Sequence, residues 1–103
     1  MLITPHTHAT DAESTFGSVH NYYERLVFEQ LHRASDRAAV DRNFMADVAC
    51  VALNRLPPRY VRHDVDMTFF LSPVEHDEIL DKVARAVNEA LNYVESRGTR
   101  AGG

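Results

Sequence analysis

Ala52-Leu53-Asn54-Arg55-Leu56-Pro57-Pro58-Arg59-Tyr60 decides how this chain folds. The run opens inside an apolar helical pattern, stops at a double proline and restarts as an extended segment. Proline lacks a backbone N–H and disfavours helical geometry in the residue before it, so Leu56 and Pro57 both leave the α region. The break sets Asn54, Arg55, Arg59 and Tyr60 on a stiff corner with little freedom left to lose on binding.

Upstream of the corner, Val40, Phe44, Val48, Val51 and Ala52 form the apolar stripe of a helix that ends at Leu56-Pro57-Pro58. Residues 35–39 are a polar break, with Asp36 a candidate cap. Before it, Val19, Tyr22, Tyr23, Leu26, Val27 and Leu31 recur at three- and four-residue spacing and predict a helix over about residues 19–34. Downstream, Val61, His63, Val65, Met67, Phe69 and Leu71 alternate with Arg62, Asp64, Asp66, Thr68 and Phe70, the pattern of a half-buried strand. No second convincing strand exists to satisfy its backbone groups, so the expected partner is the same strand of a second subunit. Ser72-Pro73-Val74-Glu75 then has the layout of a capping box with proline at the first helical position. The last helix carries Val74, Ile79, Leu80, Val83, Val87, Ala90, Leu91 and Val94 on one face and is expected to end before Gly98. At roughly 35 Å it is longer than a monomer of this size needs.

The fold class is therefore α+β, predominantly helical, with three main helices and one strand. It is expected as a two-fold-symmetric homodimer with intersubunit strand pairing. Residues 1–17 read as a flexible arm, 18–97 as the domain and 98–103 as a tail. The 103 residues, 45% hydrophobic and 25% charged, fit one globular domain. A net charge of -4 opposes binding to duplex nucleic acid or an anionic membrane. No apolar run is long enough to span a bilayer and no signal-peptide core is present, so a cytoplasmic protein is expected.

Ten of the eleven basic residues are arginines, the better side chain for bidentate contact with phosphate or guanine edges. Arg55, Arg59 and Arg62 cluster beside Tyr60. They make either a site for a small anionic ligand, with Tyr60 stacking on a base, or a solvated loop with Tyr60 in the core. The lone Cys50 excludes an internal disulfide, and its place between Ala49 and Val51 suits an inert, packed thiol. Tyr22 and Tyr23 read as core or interface. His6, His8, His63 and His76 do not assemble a metal-ligand pattern, and no nucleophile elbow, phosphate loop or zinc-protease motif occurs. A non-enzymatic protein without cofactor or metal is expected.

From Asp47-Val48-Ala49 through the Leu-Asn-Arg-Leu-Pro-Pro core to Tyr60, the chain resembles the late competence development protein ComFB family, and the order of helices extends the likeness over residues 19–96. The resemblance implies a small dimeric bacterial signalling protein; some members bind the second messenger cyclic di-GMP. It implies a ligand site at Asn54, Arg55, Pro57, Pro58, Arg59, Tyr60 and Arg62, to which Arg25 of the first helix is added. Partners would be cyclic di-GMP, a second copy and an unnamed effector controlling motility, pili, competence or biofilm. The founding member is similar to a zinc protein with cysteines just before and at the start of the second helix. Here that region reads Ala38-Ala39-Val40-Asp41-Arg42-Asn43-Phe44, so the resemblance does not carry zinc. The alternatives are a nucleotide-independent interaction module and a DNA-binding regulator, the latter opposed by Asp64 and Asp66.

Overall fold

Asn21 and Glu24 start the first helix by capping each other. The Asn21 side-chain oxygen accepts the Tyr23 N–H at 3.2 Å and the Glu24 carboxylate accepts the Asn21 N–H at 3.3 Å. The computed structural model describes residues 18–102; the predicted N-terminal arm and Gly103 lie outside the described residues. In chain order the elements are β1 (His20–Asn21), α1 (Tyr23–Ala34), α2 (Asp36–Val40), α3 (Arg42–Asn54), β2 (Tyr60–Val61), α4 (Val65–Phe70) and α5 (Pro73–Gly102).

The break between the first two predicted helices is itself a short helix with a cap at each side. Ser35, not Asp36, caps α2 by accepting the Ala38 N–H at 3.1 Å, and Asp41 caps α3 by accepting the Phe44 N–H at 3.1 Å. Both caps have extended backbones, which lets the chain turn sharply twice. Helices α1, α3 and α5 then pack against one another in all three pairings. Val27, Leu31, Val48, Ala52, Val87 and Ala90 have no exposed surface there, and Tyr22 and Tyr23 are buried beside them. Each fully buried Leu or Val contributes about 1.5–3 kcal/mol relative to exposure.

The strand expected over 61–71 is corrected. Only Tyr60–Val61 forms a strand, and it pairs antiparallel with His20–Asn21 of the same chain, where the strand of a second subunit was expected. The partner is two residues long because Tyr22, the cap of α1, already has helical backbone angles. Backbone groups beyond Val61 therefore have no ladder to join, and from Val65 the chain closes its own hydrogen bonds as α4. Met67 is its one buried residue among those whose burial is described; Val65, Phe69 and Phe70 are exposed.

Ser72 and Glu75 form the predicted capping box, with Ser72 N–H donating to the Glu75 carboxylate at 3.0 Å and Glu75 N–H to the Ser72 hydroxyl at 3.2 Å. The helix they open runs through Gly98 to Gly102, past its expected end. Its buried face is narrower than predicted: Val83, Ala86, Val87, Ala90 and Leu91 are buried, whereas Val74 and Leu80 are exposed. Cys50 is also corrected, being exposed. It sits about 200° around α3 from the buried Val48. Among the described residues no helix is long and apolar enough to cross a membrane.

Candidate functional site

The proline corner is anchored from inside. Leu56 is buried, and the turn leaving α3 closes with Arg55 N–H on the Ala52 carbonyl at 3.0 Å and Leu56 N–H on that of Leu53 at 3.3 Å. These tightened bonds end the helix without help from a side chain. Asn54, expected to serve this end or a ligand, is exposed and its side chain makes no hydrogen bond among the described residues.

The amide that holds the corner is Asn21. Its oxygen accepts the Arg59 N–H at 3.1 Å as well as that of Tyr23, while the Arg59 carbonyl accepts the Tyr22 N–H at 2.6 Å. Arg59 is thereby fixed at both backbone groups although its side chain is exposed. Pro57, Pro58, Tyr60 and Arg62 are exposed around it, Tyr60 at 69%, so Tyr60 does not enter the core. Sequence reading missed Asn21 as the tie, although Asn followed by Glu at the third residue is a legible cap signal. Its second partner lies 38 residues away.

The other two expected arginines point elsewhere. Arg25 donates from Nε to Asp64 at 3.1 Å and from Nη1 to Glu29 at 2.9 Å, so it is held by two carboxylates. Arg55 faces α5, 3.7 Å from Glu89 and 5.7 Å from the Tyr93 ring centroid. There Arg55, Leu56, Pro57, Lys82, Arg85, Ala86 and Glu89 line an open groove of about 320 Å³. Arg59 lies near the start of the same helix, where the Glu75 carboxyl is held below its usual range. Bonds from the Ser72 backbone and hydroxyl cause most of that lowering, and Arg59 adds a smaller part. The corner thus runs along α5 in the reverse direction, from Glu89 back towards Glu75. Lys82 and Arg85 were missed because nothing local in the sequence marks them as neighbours of the prolines.

In residues 38–44, the stretch the resemblance set against a zinc protein's cysteines, Ala38 and Phe44 are buried and the Arg37 guanidinium lies 3.9 Å from the Phe44 ring centroid. These residues do not fit a zinc site. Among the described residues, no three His, Cys, Asp or Glu side chains converge on a possible metal position.

Below the corner, His20 Nε2 donates to Asp64 at 2.5 Å and Nδ1 faces the Ser18 carbonyl at 3.1 Å. With both ring nitrogens against acceptors, the imidazolium is favoured. Asp64 chiefly raises the His20 pKa, followed by the Ser18 carbonyl, and His20 and then Arg25 lower that of Asp64. The His20 contribution to stability is complete below about 6.5 and is lost as pH rises through its raised folded value. The Asp64 contribution is present above its unfolded value and is lost as pH falls through its depressed folded value. Thermal melts across pH are expected to show stability declining on the alkaline side of the His20 titration. His20→Gln should flatten that limb; an unchanged limb would remove the bridge from the account.

No curated protein and no solved structure is significantly similar to the chain. A family profile described as late competence development protein ComFB matches residues 20–98, from the first residue of β1 to the predicted end of the last helix. The match takes in Asn21, the whole proline corner and the buried stretch of α5. The chain belongs to the ComFB family of late competence development proteins.

Proposed function

We propose that this protein is a non-enzymatic receptor for cyclic di-GMP, working as a homodimer and passing ligand occupancy to an effector of motility, pili, competence or biofilm. The observation that carries the reading is the corner itself. Asn21 and Tyr22 clamp the Arg59 backbone while the Arg59, Tyr60 and Arg62 side chains stand exposed around two prolines. Such a platform loses little entropy on binding, and it offers cations for phosphate or guanine and a ring for stacking. Membership of the ComFB family supports a competence-related signalling role. The homodimer is supported by the apolar side chains Val65, Phe69, Phe70 and Val74, 58–82% exposed on α4 and the start of α5.

Calorimetric titration with cyclic di-GMP, cyclic di-AMP and GTP tests the ligand. Cyclic di-GMP is expected to bind best, and Arg59→Ala to weaken it about tenfold or more, since a charge-assisted hydrogen bond contributes about 1.5–3 kcal/mol. Absence of binding up to ~100 μM, an affinity of only ~5.5 kcal/mol, would transfer the lead to a nucleotide-independent interaction module.

A further inference from the structure

The groove between the proline corner and α5 has a charge balance opposite to that of the whole chain. Arg55, Lys82 and Arg85 line it and Glu89 is its one acidic wall, in a protein of net charge -4. Glu78 and Asp81 stand four residues before Lys82 and Arg85, the favoured order for helical ion pairs. Yet among the described residues neither Lys82 nor Arg85 is ion-paired; both border the groove beside Leu56 and Pro57. Arg55 is only loosely held, 3.7 Å from Glu89. The floor is firm: Leu56 and Ala86 are buried, and Pro57 fixes the backbone beside them.

We propose that this groove is a phosphate-binding site, in which Lys82 and Arg85 of α5 hold one phosphate group of an organic phosphate against Arg55. Its volume of about 320 Å³ is at the lower end of ligand sites, enough for a phosphate with its sugar but small for a whole cyclic dinucleotide. The rest of such a ligand would lie outside, along the corner towards Arg59 and Tyr60. The proposal rests on the cyclic di-GMP reading for the identity of the ligand alone; the anion chemistry rests on the groove. Glu89 competes with the phosphate for Arg55.

Two titrations of the full chain separate the two ideas, each made with the parent, with Lys82→Ala/Arg85→Ala and with Glu89→Gln. Both cations are exposed on a helix, where alanine is well accepted, so the double variant should remain folded. The first titration follows backbone amide shifts on adding inorganic pyrophosphate. Shifts centred on Leu56, Arg85 and Ala86 in the parent and lost in the double variant would support the groove, whatever cyclic di-GMP does. Their absence from the parent, or their persistence in the double variant, would overturn it. The second titration is calorimetric, with cyclic di-GMP. The double variant should bind at least about tenfold more weakly, and Glu89→Gln about threefold more tightly. If pyrophosphate marks the groove but cyclic di-GMP does not bind the parent, the ligand identity fails and the phosphate site stands. If cyclic di-GMP binds parent and double variant equally, the receptor reading stands and the groove is excluded from it.

Discussion

Replacing Asn21 by Leu is expected to destabilise the fold by about 2–4 kcal/mol and to remove the proposed cyclic di-GMP binding with it. Leucine has nearly the same size, so the effect isolates the lost acceptor. Asn21 is 8% exposed, and its oxygen takes the N–H groups of both Tyr23 and Arg59. Each donor left buried without a partner costs about 1–3 kcal/mol. For a domain of this length the melting temperature should fall by about 10 °C or more. Asn21→Asp keeps an acceptor at the same place and should retain most of the stability. Equilibrium denaturation of the three proteins decides the matter. A loss below about 0.5 kcal/mol for the leucine variant, the size of an ordinary surface change, would show that the corner is held by something else.

The second large effect concerns self-association. Phe69→Asp/Phe70→Asp is expected to convert the proposed homodimer into a folded monomer. The two rings are 82% and 77% exposed in the single chain, so they add little to the monomer's own core. Their burial against a second copy is the gain that association offers, and a stable interface needs at least ~1,000 Å² of buried surface. Two carboxylates set into such an interface without partners would weaken it by several kcal/mol, about a hundredfold or more. Light scattering at tens of micromolar reads the outcome. A parent that is already monomeric, or a variant as dimeric as the parent, contradicts the proposal.

What the sequence made legible was chiefly local. The Ser72–Glu75 box, the stripe read from Val40 to Ala52 and the proline stop all depend on residues within a few positions of one another, and all are present except that Val40 ends the short helix before the stripe and is 83% exposed. The segment after Val61 was misread because a run with period two also supplies a short helix when only one residue, here Met67, has to be buried. The intersubunit ribbon fell with it, since the short strand that completes the sheet, His20–Asn21, carries no alternating pattern at that length. Of the site, the corner was legible and its surroundings were not. Asn21, Lys82 and Arg85 become neighbours of residues 55–59 only through the packing of α1 and α5 against α3. Arg25 was added to the site although Asp64, 39 positions later, pairs with it, because nothing local in the sequence marks that pairing.

Among the described residues, helix α5 meets the core from Ile79 to Val94, with its buried positions between Val83 and Leu91. That contact covers about 22 Å of a helix about 45 Å long. A beam supported along its middle half leaves both ends free, and the groove beside Pro57 lies within the supported part, lined by Lys82, Arg85, Ala86 and Glu89. A tilt of about 5° at that point displaces the helix start, about 15 Å away, by about 1.3 Å. That end carries Val74 and follows directly on Phe69 and Phe70, the exposed apolar side chains of α4. A phosphate in the proposed groove between Pro57 and Arg85 would therefore sit where a small rotation of α5 is magnified at the apolar surface.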